Sequence, residues 1–80
     1  MKLEVLYFAR YREVLGRERE TVEGDFASVD ALRQFLILDR GHDVLAEQNI
    51  MCARNEELCA LEETLVDGDE IAFFPTVTGG

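Results

Sequence analysis

Gly68-Asp69-Glu70-Ile71-Ala72-Phe73-Phe74-Pro75-Thr76-Val77-Thr78-Gly79-Gly80 closes the 80-residue chain, and its first half decides the fold. Asp67-Gly68 is a turn signal. Behind it, Ile71 to Phe74 is a wholly apolar strand, the kind buried on both faces. Pro75 stops it, because proline lacks the N–H that a ladder requires. Such a strand needs a neighbour, and none lies next to it in sequence. The only other long apolar strand runs from Leu3 to Ala9, rich in β-branched and aromatic residues and interrupted by Glu4. Pairing the two puts the last strand in mid-sheet, parallel to Leu3–Phe8.

Outward from that pair the rest falls into place. Arg10 to Leu15, followed by Gly16, predicts one or two helical turns closed by a C-terminal glycine. Glu18 to Glu23 alternates weakly through Thr21 and Val22 and reads as an edge strand antiparallel to the first. Ser28 is an N-cap whose hydroxyl can accept from the first-turn amides, and Asp30 favours the dipole there. Val29, Leu32, Phe35 and Leu36 then line one face of the main helix, which Gly41 ends. Asp43 to Gln48 suits a short turn, Ile50 to Arg54 a strand, Asn55-Glu56-Glu57 a tight turn and Leu58-Cys59 its short return. The expected class is α+β, a mixed sheet clasping one main helix, which is the β-grasp or ubiquitin-like arrangement. Residues 1–75 form that domain and 76–80 a flexible tail.

Composition removes several functions. Eighty residues make one small core with no room for an internal pocket. The hydrophobic fraction of 48% is ordinary, and no run approaches the length of a membrane span. The opening Met-Lys-Leu-Glu-Val places an acid in the first apolar stretch, unlike a signal peptide, so a cytoplasmic protein is expected. Seventeen acidic against eight basic residues give a net charge of −9, which repels nucleic acid and steers the molecule toward basic clefts on partner proteins. Cys52 and Cys59, with six residues between them, match no zinc or iron–sulfur spacing and read as small core hydrophobes. His42 reads as a solvated loop residue, Glu56-Glu57 and Glu62-Glu63 as a solvated acidic face, and no metal site is expected. Arg10, Arg12 and Arg54 could pair with local acids or with a partner.

The chemistry is left to the tail. Glycine has no Cβ, so Gly79 and Gly80 can enter a slot too narrow for other residues, and the Gly80 carboxylate is a handle at its tip. Five residues beyond Pro75 span roughly 17 Å when extended, enough to cross a partner's surface with Val77, Thr78 and Gly79 threaded ahead of Gly80. A carboxylate must be activated before it accepts a nucleophile. The chain carries no phosphate-binding loop and no nucleophile–base pair, so activation is expected on another protein.

The run Gly68 to Gly80 resembles the signature of the small subunits of molybdopterin synthase, the sulfur carriers of molybdenum-cofactor synthesis. Leu6-Tyr7-Phe8-Ala9 with Arg12-Glu13, Ser28 to Arg33, and Arg54 to Leu58 agree with the same family, and the resemblance spans the whole chain. Arg54 and Cys59 depart from it, standing where apolar residues are commoner. The resemblance implies that Gly80 is adenylated with ATP by an E1-like adenylating enzyme, converted to a thiocarboxylate by a sulfur donor protein, and presented to a pterin precursor inside a large subunit, in a heterotetramer. It implies Phe8, Leu58, Phe74 and Pro75 as partner contacts. It implies no cofactor bound by this chain, only ATP consumed by the activating partner. Two other readings stay open: a related carrier for thiamine or tRNA thiolation or a modifier joined to lysines, and a β-grasp interaction module with an inert tail.

Overall fold

Strand β1 (Lys2–Tyr7) pairs antiparallel with β2 (Arg19–Glu23) on one side and parallel with β5 (Glu70–Phe74) on the other. The computed structural model describes residues 1–76. Beyond β5 lie β3 (Met51–Arg54) and β4 (Glu57–Cys59), both antiparallel to their neighbours, so the sheet order is β2-β1-β5-β3-β4. The last strand is central and parallel to the first, as its apolar run requires.

Helix α2 (Val29–Arg40) crosses one face of this sheet. The Ser28 hydroxyl accepts from the Ala31 amide at 3.1 Å, and Gly41 closes the helix at φ 71°. The segment after β4 straps the helix start: the Val29 and Asp30 amides donate to the carbonyls of Glu63 and Leu61. Val29, Leu32 and Leu36 meet Leu3, Val5, Tyr7, Val22, Ile71 and Phe73 in one continuous core, closed at the sides by Leu45 and Leu65. Leu45 arrives on a 3₁₀ turn (Asp43–Ala46). The short helix α1 (Arg10–Leu15) contributes the buried Tyr11.

Two local readings change. The first strand ends at Tyr7 rather than Ala9, because Ala9 adopts φ 54° and turns the chain into α1. His42 is buried, not solvated. The left-handed Gly41 turns the chain back toward β1 and β2, where the His42 Nε2 lies 2.9 Å from Glu20 Oε2 and its ring meets Tyr7 edge-on. Glu20 also accepts from the Tyr7 hydroxyl at 2.6 Å and pairs with Arg17 and Arg40. Burial would raise the Glu20 carboxyl, but the hydrogen bonds from Tyr7 and His42 outweigh it, and its pKa lies below the usual range.

Candidate functional site

Alternation along the strands sends Leu3, Val5 and Tyr7 into the core and Glu4, Leu6 and Phe8 to the opposite face. The strand register carries that second face across the sheet. Leu6 stands beside Ala72, Ala72 beside Ala53, and Ala53 beside Leu58, forming one row from β1 to β4. The next row toward the end of β5 joins Met51 to Phe74, and Phe74 meets Phe8 edge-on with ring centroids 6.5 Å apart. The alanines make a trough between Leu6 and Leu58, and the aromatic pair closes one end.

The other end of the same face is charged. Glu4 and Glu70 are register neighbours there, and Arg19 reaches both, at 3.0 and 3.7 Å. The face is therefore apolar only where β5 ends and the chain departs toward its C-terminus. Phe8 is 46% exposed and Leu58 69% exposed, large values for residues with no helix over them. Phe74 and Pro75 are half-buried at the same corner, and Phe74 is kept out of the core that Phe73 enters. The Thr76 hydroxyl donates to the Asn49 carbonyl, so the described chain stays close to the sheet for two residues past β5. Val77, Thr78 and Gly79, expected to thread, and Gly80, expected to react, lie outside the described residues.

Phe8, Phe74 and Pro75 are thus brought together at one corner, and Leu58 lies on the same face but apart from them, on the edge strand β4. Sequence reasoning missed Leu6, Met51, Ala53 and Ala72, which complete the surface. The period-two pairs Leu6/Phe8 and Ala72/Phe74 carried the signal, but it emerges only once the register joins the strands.

The opposite end of the sheet, where β5 begins, is tied down by Asp69. Its carboxylate accepts from Arg54 Nε at 2.8 Å, from Asn55 Nδ2 at 2.9 Å and from the Val66 amide at 2.8 Å. Burial pushes the Asp69 carboxyl up, yet the bonds from Arg54, Val66 and Asn55 prevail and hold it below the usual range. Arg54 also binds Glu63 at 3.0 Å. Its charge is spent on local acids, which accounts for an arginine at a strand position where an apolar residue is commoner.

Among the described residues no cluster of His, Cys, Asp or Glu could hold a metal ion, and no helix is long and apolar enough to cross a membrane. The arrangement offers an exposed apolar patch on the open face of the sheet, next to the point where the chain leaves β5.

A family model described as the ThiS family matches residues 5–80. The molybdopterin synthase sulfur carrier subunit of Escherichia coli is 42% identical over 80 residues, covering 98% of this chain and 99% of that protein. The human protein of the same name is 34% identical over 84 residues, covering 99% and 94%. Among solved structures, small archaeal modifier protein 1 of Haloferax volcanii superimposes with a TM-score of 0.81 at 32% identity, covering all of both chains. Subunit 1 or 2 in the complex of the molybdopterin-converting factor from Helicobacter pylori superimposes at 0.67 with 28% identity, again over all of both chains.

Proposed function

The chain belongs to the ThiS family, and from that premise we propose that it is the sulfur carrier subunit of a molybdopterin synthase. The observation that carries this reading is the match to the Escherichia coli sulfur carrier subunit over nearly the whole of both proteins. The family match also runs to residue 80, so it takes in the diglycine. The apolar corner at the end of β5 supports a division of labour in which a larger partner grips Leu6, Phe8, Leu58 and Phe74 and receives the arm that follows.

The chemistry proceeds in two steps on the Gly80 carboxyl group. Attack of a carboxylate oxygen on the α-phosphate of ATP releases pyrophosphate and leaves an acyl-adenylate. A sulfur nucleophile then adds to the acyl carbon and expels AMP, leaving a thiocarboxylate. Its charge sits on a polarisable sulfur, which makes it nucleophilic at neutral pH, as thiolates are. Glycine at positions 79 and 80 keeps the arm thin enough for a narrow channel. The thiocarboxylate transfers its sulfur to a pterin precursor in the active site of the large subunit, and the Gly80 carboxylate is regenerated.

The test is reconstitution with an activating enzyme, ATP and sulfide, followed by intact mass measurement. Exchange of one carboxyl oxygen for sulfur adds about sixteen mass units. Adding the large subunit and precursor should then yield dithiolene, whereas a chain lacking Gly80 should yield none. Dithiolene formation by the Gly80-deleted chain would overturn the proposal.

The likeness to an archaeal modifier protein favours a second reading, in which the activated carboxyl is joined to lysine amines. Isopeptide-linked conjugates of a tagged chain, resistant to thiols and absent after Gly80 deletion, would identify it.

A further inference from the structure

Cys52 and Cys59 are register partners across β3 and β4, and their sulfurs lie 3.6 Å apart. Cys52 is buried, with its thiol also facing the Cys59 carbonyl at 3.3 Å, whereas Cys59 is half-buried on the edge strand. A depression of about 390 Å³ runs along that edge, lined by Arg54, Asn55, Glu57, Leu58, Cys59 and Glu63. The two cysteines thus differ in access. One opens on a cavity that a small molecule can enter, and the other sits directly behind it.

We propose that Cys52 and Cys59 form a reversible cross-strand disulfide, made by thiol exchange with a small neutral or cationic disulfide that enters the depression beside Cys59. The charge of the lining selects the oxidant class. The Arg54 guanidinium is already neutralised by Asp69 and Glu63, so Glu57 and the overall charge of −9 set the local sign against anionic disulfides.

The exchange takes two steps. The Cys59 thiolate attacks one sulfur of the small disulfide; that S–S bond breaks, a small thiolate leaves, and a mixed disulfide remains on Cys59. Cys52 then gives up its proton to the departed thiolate and attacks the Cys59 sulfur, expelling the second small thiolate, which takes a proton from water. The two cysteines are oxidised by two electrons in all, and the small disulfide is reduced to two thiols. Burial and the hydrogen bond with Cys59 push the Cys52 thiol up to about 12, which makes it a poor first attacker; its part in the second step rests on the 3.6 Å contact with the Cys59 sulfur. Closing the contact to a bond of about 2.05 Å needs side-chain rotation, since the strands already hold the two residues opposite each other.

The consequence falls on β4. It is the shortest strand, paired on one side only, and it carries the exposed Leu58. A covalent tie at Cys59 fixes the strand that presents Leu58 to a partner.

The experiment treats the reduced full chain with cystamine, a dication, or with oxidised glutathione, and follows intact mass and cysteine alkylation over time. The wild type should pass through one transient adduct to a monomer lighter by two hydrogens, with neither cysteine alkylated and full reversal by reductant. Cystamine should act about tenfold faster than glutathione disulfide, the size of an electrostatic rate effect. Cys52→Ala should stop at a stable adduct on Cys59, and Cys59→Ala should not react in the folded state. Amide exchange across Glu57 to Cys59 should slow about tenfold in the oxidised chain. A persistent wild-type adduct with Cys52 still alkylated after denaturation, covalent dimers as the main product, or unchanged exchange in β4 would overturn the proposal. The time course on the wild type decides even if a variant is unstable.

Discussion

Asp69 sits next to a glutamate in a chain rich in acids, and nothing in its sequence position marks it out. In the fold it gathers three donors from the β3–β4 hairpin and the segment before β5. Its folded carboxyl has a lower pKa than the unfolded one, so the unfolded chain takes up more protons on acidification. The Asp69 contribution to stability is therefore complete above the unfolded value of about 3.9 and is lost as the pH falls through the lower folded value. Asp69→Asn should cost about 1–3 kcal/mol at pH 7, the scale of a hydrogen bond to a charged group. The penalty should shrink as the pH drops toward the folded pKa. Urea melts of both chains at pH 7 and in the acid range check this, and an equal or growing difference at low pH would refute it. His42 carries a related lesson. A lone histidine after a glycine looked solvated, and only the fold shows that the glycine's left-handed turn delivers it to Glu20. Residues that act through partners distant in sequence are the ones a sequence hides.

At the scale of elements the sequence was far more legible. Helix α2 begins after Ser28 and ends before Gly41 as the cap chemistry predicts, and the apolar run of β5 found its parallel neighbour. These elements carry their signals locally, in caps, periodicity and turn residues. The apolar face was half legible for the opposite reason. Phe8, Leu58 and Phe74 are conspicuous because they are large, whereas Ala53 and Ala72 acquire meaning only from the register. The β3–β4 hairpin turns through Asn55 and Glu56, both at positive φ, 50° and 71°. Asparagine tolerates this; glutamate pays about 1 kcal/mol for it relative to glycine. Glu56→Gly should raise stability by about 0.5–1 kcal/mol, measured as a higher urea midpoint at unchanged slope, with an unchanged or lower midpoint as the contrary outcome. Leu58→Arg should leave the melting temperature nearly unchanged, since the side chain is mostly exposed, yet weaken binding to the large subunit by about 2 kcal/mol, the scale of an interface hot spot. Calorimetric titration beside a melting curve tests both halves, and normal affinity would place the interface elsewhere.

For the whole molecule, an exposed apolar patch is set in a strongly acidic chain. The net charge is −9, and the open face of the sheet is apolar only at the corner where β5 ends. On the proposed reading, long-range attraction by a basic partner would set the rate of encounter and the apolar corner the lifetime of the complex. Raising salt from about 50 to 500 mM should slow association with the activating enzyme or the large subunit about tenfold while changing dissociation little. Stopped-flow binding at several ionic strengths measures both rates, and a salt-insensitive association rate would count against steering.

The parallel pairing of β1 with β5 also fixes how the domain bears load. The chain enters the sheet at the start of β1 and leaves it at the end of β5, and these strands lie side by side at its centre. Traction applied to the end of the chain, against a domain held near Met1, slides one strand along the other and strains their cross-links together instead of opening them singly like a zip. The arm can thus be drawn taut without unravelling the body from which it grows.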